Sequence, residues 1–350
     1  MSSNVSSSEQ DLEAQIDRCL ELIAPSASDE SKFVGMMLLP RLLKQDDVAS
    51  IQRVFDGMNF KFIERLLRSS EQPNAEVPES VLQEIGVSIL ACFAHYEDMA
   101  TRKQMTDRIP ALSTILSAND KTDVTKESLN ILLCVAITKE GLVRMLDPDV
   151  LKNVFEVLTE SQSSDDVRDR AMLVTSCLLR YFGTDWLFSS LQNTKQSRKR
   201  KEKQPSSRTG EIHADAHFPA LLIHLVAVET RVIIDDINDH LHEVYEGRKV
   251  DIVDEEKKLR QETILPVLFE ILESAIHYLS THYSEKEESG MDPEMLLKIR
   301  TALTDTMDVV MELLQFMQTT HNDDQLEDSM VAQASMRIIA LWLAEEGYEL

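Results

Sequence analysis

Ile109-Pro110-Ala111-Leu112-Ser113-Thr114-Ile115-Leu116 is the stretch that decides the fold. Proline at the start of a helix forfeits no hydrogen bond, and its fixed φ already suits the first turn. Leu112 and Leu116 then stand four residues apart, on one helical face. The same phrase recurs as Phe218-Pro219-Ala220-Leu221 with Leu225, and as Leu265-Pro266-Val267-Leu268 with Leu272. Each copy predicts a helix start whose leucines turn inward.

Outward from these phrases the chain reads helix after helix. Ser8-x-x-Asp11 reads as the cap of a first helix carrying Leu12, Ile16, Cys19, Leu20 and Ile23, which Pro25 ends. Phe33 to Leu43 is apolar, and Pro40 is expected to kink or divide it. Val81, Ile85, Ile89 and Cys92-Phe93 form a stripe at helical spacing, and Leu129–Ile137 and Val167–Tyr181 read as buried helices. Stripes follow at Leu221, Leu225, Val228 and Val232, then at Leu265, Leu268, Leu272, Ala275 and Leu279. Another runs through Ile299, Leu303, Met307, Val310, Leu314 and Met317, and a last helix covers Ala334 to Trp342. Only 9 Gly and 10 Pro occur in 350 residues, and strict polar/apolar alternation is nearly absent. The expected fold is all-α, an armadillo/HEAT-like α-solenoid of degenerate helical hairpins. Armadillo-like repeats start their inner helices with the proline phrase, and so do ordinary helical bundles; its uneven spacing predicts a degenerate array. The expected organisation is a disordered Ser-rich tail over 1–10, N-terminal helical repeats over 11–191, a basic polar linker over 192–217, and long helices over 218–350.

Charge and cysteine content narrow the function. With 61 acidic against 36 basic residues the net charge is −25, which disfavours nucleic acid, since phosphate binding needs Lys and Arg to displace counterions. An acidic surface favours partners with basic patches. Cys19, Cys92, Cys134 and Cys177 are far apart, each within an apolar helical pattern, and read as reduced core thiols of a reducing compartment. The first residues form neither a basic nor an apolar stretch, Ser2 excludes myristoylation, and uncharged apolar runs such as Ile85–Ala94 are short for a bilayer. A cytosolic location is expected.

The segment from Asn193 to His217 is polar, aperiodic and basic, with Arg198, Lys199, Arg200, Lys201 and Lys203 before Pro205. A nuclear-localisation patch, a contact to an acidic surface, and a solvated insertion without a role all stay open for it. Catalytic signatures are absent. No two glycines are closer than Gly35 and Gly57, so no phosphate-cradling loop can form. Neither a G-x-S-x-G elbow nor an H-E-x-x-H helix is present. Asp235, Asp236, Asp239, His240, His242 and Glu243 form the densest ionisable cluster, yet helical geometry spreads them over different faces. His213-x-Asp215-x-His217 has no further ligand nearby, and His277 and His282 dress a helix end. No enzyme, cofactor or metal is expected.

Several fragments together resemble the neurochondrin family of armadillo-like proteins. They are Val54-Phe55-Asp56 with Phe60 and Arg65-Leu66-Leu67; Gly86-Val87 with Leu90-Ala91-Cys92-Phe93; and Ile109-Pro110 with Leu112-Ser113-Thr114. Further on come Gly183-Thr184-Asp185-Trp186, Phe218 with Ala220-Leu221-Leu222, Val228-Glu229-Thr230-Arg231, and Ala275-Ile276-His277-Tyr278-Leu279. The last is Ala334-Ser335-Met336-Arg337-Ile338-Ile339 with Trp342-Leu343-Ala344-Glu345-Glu346. Within them the polar and small positions Asp56, Gly86, Asp185, Glu229, Arg231, Arg337, Glu345 and Glu346 are the ones that packing alone explains least. Against the family pattern the stretch between Cys134 and Trp186 is short, the basic run 198–203 reads as an insertion, and the family's C-terminal half is expected to be lacking.

The resemblance implies a non-catalytic scaffold or regulator of cytoplasmic signalling, with a role in neurite outgrowth in neurons. The partners it implies are other proteins: signalling kinases, receptors or trafficking GTPases. The alternative is an adaptor at a membrane or endosome that binds a small GTPase or anionic lipid through the basic linker, with peripheral membrane association. Nuclear entry through the 198–203 run is a further expectation.

Overall fold

A computed structural model of the chain describes residues 7–43, 47–68, 77–118, 122–160, 163–183, 218–247, 255–283, 293–320 and 323–346. Among the described residues every regular element is a helix, and contacts gather into two units, Met1–Val174 and Thr175–Leu350.

The first unit opens with α1 (Ser7–Leu22) and α2 (Asp29–Leu42), followed by α3 (Val48–Gly57), α4 (Phe60–Leu67) and α5 (Glu79–Ala94). Next come α6 (Glu97–Ala100), α7 (Lys103–Thr106), α8 (Ile109–Ala118) and α9 (Thr122–Val135), then α10 (Lys139–Met145), α11 (Pro148–Thr159) and α12 (Asp165–Phe182). Local chemistry sets several starts. Ser28 Oγ, Asp47 Oδ1, Asn59 Oδ1 and Thr138 Oγ1 each accept a backbone N–H of the first turn, at 3.1–3.2 Å. Pro148 occupies the first position of α11.

Polar contacts reveal the repeat. Asn153 Nδ2 of α11 donates to Ser113 Oγ of α8, 40 residues earlier. Arg170 Nε of α12 donates to Asn130 Oδ1 of α9, also at a separation of 40. Arg144 of α10 reaches back 37 residues to Asp107 beside α7. Arg102, just before α7, reaches back 46 residues to Asp56 of α3, and Arg108 Nη2 reaches back 48 to the Phe60 carbonyl of α4. First, second and third helices thus each bond to their counterpart about one armadillo repeat away. The third helices start at Glu79, Thr122 and Asp165, at even intervals. The uneven spacing of the proline phrases therefore does not report the repeat: Pro110 starts a second helix, whereas the other two prolines lie in the other unit.

Packing within this unit centres on Phe55, Phe60 and Phe93. The Phe55 and Phe93 rings meet edge to face at 5.1 Å, and Phe55 and Phe60 at 5.0 Å. Arg102 lies 5.1 Å over Phe55 while it pairs with Asp56, so one side chain ties the aromatic cluster to the next repeat.

The second unit takes the last turns of α12 from Thr175 and adds α13 (Phe218–Tyr245), α14 (Glu255–Tyr283), α15 (Pro293–Thr320), α16 (Asp323–Asp328) and α17 (Met330–Glu346). Glu229–Arg260 at 2.6 Å and Asp236–Lys257 at 3.0 Å pair α13 with α14, and their order along the chain makes the two antiparallel. His242 and Tyr245 of α13 meet the Phe316 ring of α15, C-terminal end beside C-terminal end. Arg337 of α17 bonds Glu273 of α14 at 2.7 Å. Two hairpins, α13/α14 and α15/α17, therefore stack like helix on like helix.

The Glu229–Arg260 pair is mostly withdrawn from water, at 17% and 28% side-chain exposure. Glu229→Ala is expected to destabilise the second unit by about 2 kcal/mol, the range for hydrogen bonds to charged groups. The exposed Asp56–Arg102 pair is expected to cost under about 1 kcal/mol when Asp56 becomes Ala. Urea titrations of the two variants check the difference.

Four expectations need correction. Pro266 lies inside α14 rather than at its start, because the helix-favouring run Glu255–Leu265 ahead of it is already helical. On α13 the packed stripe is Leu222, Ile223, Val226, Ala227, Ile233 and Ile234, while Leu221, Val228 and Val232 are exposed. The first half of that helix is apolar nearly all round, so periodicity alone left its inner face undecided. The tail expected over 1–10 gives way to α1 at Ser7. The division expected after Leu191 falls at Val174, since Ser176 and Arg180 are bound to Glu270 of α14.

By length and composition α14 would suffice to cross a membrane, yet 56% of that apolar window is buried in the unit. Leu265, Leu268, Leu272 and Ala275 are core residues, each at most 1% exposed.

Candidate functional site

The third helix of each repeat contributes to one layer, and in the first unit this layer is α2, α5, α9 and the first turns of α12. Partly exposed side chains mark it at matching turns: Ser88 and Cys92 on α5, Lys126, Asn130 and Cys134 on α9, Arg170 and Leu173 on α12. On α9 and α12 the polar ones are tied to one another and to their neighbours. Asn130 accepts from Arg170 Nε at 2.7 Å and donates to Glu127 Oε2 at 3.1 Å. Lys126 pairs with Asp166, and that hydrogen bond holds the Asp166 carboxyl below its ordinary pKa, with Arg170 adding to the effect. Donors and acceptors are thus fixed in orientation across successive helices, which suits recognition of a polypeptide laid over them.

Two cysteines, Cys92 and Cys134, share the layer. All four cysteines are free; Cys19 is buried, whereas Cys92, Cys134 and Cys177 are only partly covered, a departure from the expected set of core thiols. Burial pushes the Cys92 thiol up to about 11, and the nearby Glu127 carboxylate adds to this. Cys134 moves the same way for the same reasons. At pH 7.5 iodoacetamide is expected to modify Cys92 about tenfold more slowly than a free cysteine. The thiolate population falls by about 100-fold, and higher intrinsic nucleophilicity returns about eightfold. Peptide mapping of a labelling time course reads the rate.

In the second unit α12, α14 and α17 line a cleft of about 280 Å³. Pro266, Phe269, Ala334 and Met330 give it apolar walls, and Arg180, Glu270, Glu273 and Arg337 give it charge. Arg180 Nε donates to Glu270 Oε1 at 2.5 Å, Ser176 Oγ bonds the same carboxylate, and Arg337 Nη2 donates to Glu273 Oε2 at 2.7 Å. Two carboxylates one turn apart on α14 are therefore each spanned by an arginine from a neighbouring helix.

The residues singled out by sequence do not converge. Arg337 lines the cleft, Asp56 joins consecutive repeats through Arg102, and Glu229 joins α13 to α14. Arg231 bonds the Ala227 carbonyl of its own helix at 3.4 Å, Gly86 packs on Leu67, and Glu345 is exposed at the end of α17. Asp185, the Glu346 side chain, and Arg198, Lys199, Arg200, Lys201 and Lys203 lie outside the described residues, as do His213, Asp215 and His217. Among the described residues no group of three or more His, Cys, Asp or Glu side chains is placed to hold a metal ion. In the acidic cluster of α13, Asp236 pairs with Lys257 and His242 stacks on Phe316. Sequence reading missed Arg180, Glu270, Glu273 and Met330, since nothing local joins positions so far apart.

The sequence profile of the neurochondrin family matches residues 10–166 and 148–350. The chain belongs to the neurochondrin family. The Drosophila melanogaster neurochondrin homolog is 22% identical over 96% of this chain, which spans 54% of that protein. Human neurochondrin is 32% identical over 33% of this chain, a match that covers 16% of the human protein. The chain thus spans about half the length of the fly relative and matches a smaller part of the human one. Among solved structures an engineered protein is similar at a TM-score of 0.48 and 14% identity, covering 93% of this chain and 95% of that one.

Proposed function

We propose that this neurochondrin-family chain is a non-catalytic scaffold that docks segments of other proteins on its third-helix layer and so regulates cytoplasmic signalling. The observation that carries the reading is the row of half-exposed polar side chains, Ser88, Asn130 and Arg170, on successive third helices, the last two bonded to each other. Repeat proteins bind partners on such extended stacked surfaces, where each repeat adds a small, similar increment of contact. Family membership supports a scaffold rather than an enzyme. Signalling kinases, receptors or trafficking GTPases are the proposed partners, the cytosol the proposed location, and neurite outgrowth the proposed process in neurons.

Affinity purification of the tagged chain from its own cells, read by mass spectrometry, tests this against two variants. One carries Ser88→Lys and Asn130→Lys; the other lacks residues 193–217. A defined partner set that survives loss of 193–217 but is lost from the double-lysine chain, while circular dichroism shows that chain still folded, is the expected result. Loss with the 193–217 deletion alone would place the function in that basic segment instead.

A further inference from the structure

We infer that the cleft between α12, α14 and α17 is a docking site for a short peptide motif in which one large apolar side chain is flanked by an acidic one. The inference rests on the scaffold reading and adds the chemistry of the ligand.

Size comes first. A volume of about 280 Å³ lies just below the range for drug-sized ligands and cofactors, and it has room for one large side chain with part of its neighbour. Pro266, Phe269, Ala334 and Met330 offer that side chain an apolar seat, and Met330 is 57% exposed before anything covers it. Burying an exposed Met against an incoming apolar group is favourable on both sides.

Charge then selects the flanking residue. The two carboxylates are withdrawn, at 25% exposure for Glu270 and 16% for Glu273. The arginines stand out at 64% for Arg180 and 71% for Arg337. Each guanidinium has five N–H donors in a planar fork and spends part of it on its glutamate. The charged groups an incoming chain meets first are therefore guanidinium donors, a basic rim on a chain whose net charge is −25, with the exposed Gln333 also lining the cleft. Such a rim matches a carboxylate, to which arginine can bond in bidentate fashion. Glu270 and Glu273 act as internal stand-ins for that ligand: they hold the arginines in position and must share them when the motif binds.

This arrangement separates a binding role from a structural one. If the pairs only brace the helices, Glu270→Gln and Glu273→Gln weaken the unit and leave peptide binding unaffected or poorer. If the arginines serve a ligand, the same double variant frees them and tightens binding.

The experiment is a display selection of random twelve-residue peptides on the full chain, followed by titration of the recovered peptides against variants. The expected consensus is Leu, Phe or Met beside Asp or Glu. Arg180→Gln with Arg337→Gln is expected to weaken such a peptide by at least about tenfold, the cost of one charge-assisted bond. Glu270→Gln with Glu273→Gln is expected to tighten it severalfold. A selection that yields basic or purely apolar peptides, or nothing, overturns the inference. So does an apolar–acidic peptide whose affinity ignores both double variants. If recovered peptides lose affinity in the Ser88→Lys/Asn130→Lys chain instead, the scaffold reading stands and the cleft falls.

Discussion

Phe55→Ala is expected to destabilise the first unit by about 4 kcal/mol, the middle of the range for a fully buried phenylalanine. Phe55 is 1% exposed, and its ring meets Phe60, Phe93 and the guanidinium of Arg102 at 5.0–5.1 Å. Alanine removes the apolar burial, leaves a cavity among α3, α4 and α5, and strips Arg102 of its aromatic partner. Phe55→Leu keeps most of the volume and is expected to cost about 1 kcal/mol. Urea denaturation followed by circular dichroism reads both. A loss below about 1 kcal/mol for the alanine variant would contradict a core centred on this ring.

Gly141→Ala is the second large effect, and two opposing terms set its sign. Gly141 sits in the first turn of α10, where alanine's greater helix propensity would stabilise by about 1 kcal/mol. A Cβ there, however, would lie 2.1 Å from the Val135 carbonyl oxygen and 2.8 Å from Val135 Cγ1. The obstacle is backbone, so no rotamer change relieves it. Overpacking typically costs about 1–3 kcal/mol, and a contact this short belongs at the top of that range or above it. The net expectation is a loss of about 2 kcal/mol or more, and a melting temperature lower by roughly 4–8 °C. Gly183 is the control. Its φ of +74° penalises alanine mildly, but among the described residues no atom stands within 4 Å of its added Cβ. A Gly141→Ala chain that melts like wild type would mean that α9 and α10 do not meet so closely.

These two positions show what the sequence conveyed and what it withheld. Phe55 lies in a fragment that resembles the family, and its apolar context marks it as core. The all-α fold, the stripes on α14 and α15, and the helix starts at Pro110 and Pro219 were equally legible, because each depends on residues within a few turns. Gly141 was not, since its reason is a carbonyl from the preceding helix. The repeat itself was hidden for a similar cause. It is carried by Arg102, Arg144, Asn153 and Arg170, each reaching back to a counterpart 37–46 residues away, and surface-type residues of that kind leave no periodic trace. On α13 two adjacent apolar stripes competed, and only packing chose between them. The cleft was legible in one residue, Arg337, while its other charged members come from helices that sequence places far apart.

The scaffold reading is tested most directly by finding where a bound partner touches the chain. A photo-crosslinking side chain placed at Ser88, on the third-helix layer, is compared with one placed at Lys152, exposed on a second helix. After irradiation in the cells of origin and purification under denaturing conditions, partner adducts are expected from position 88 and not from 152. Adducts from 152 alone, or equal adducts from both, would contradict docking on the third-helix layer.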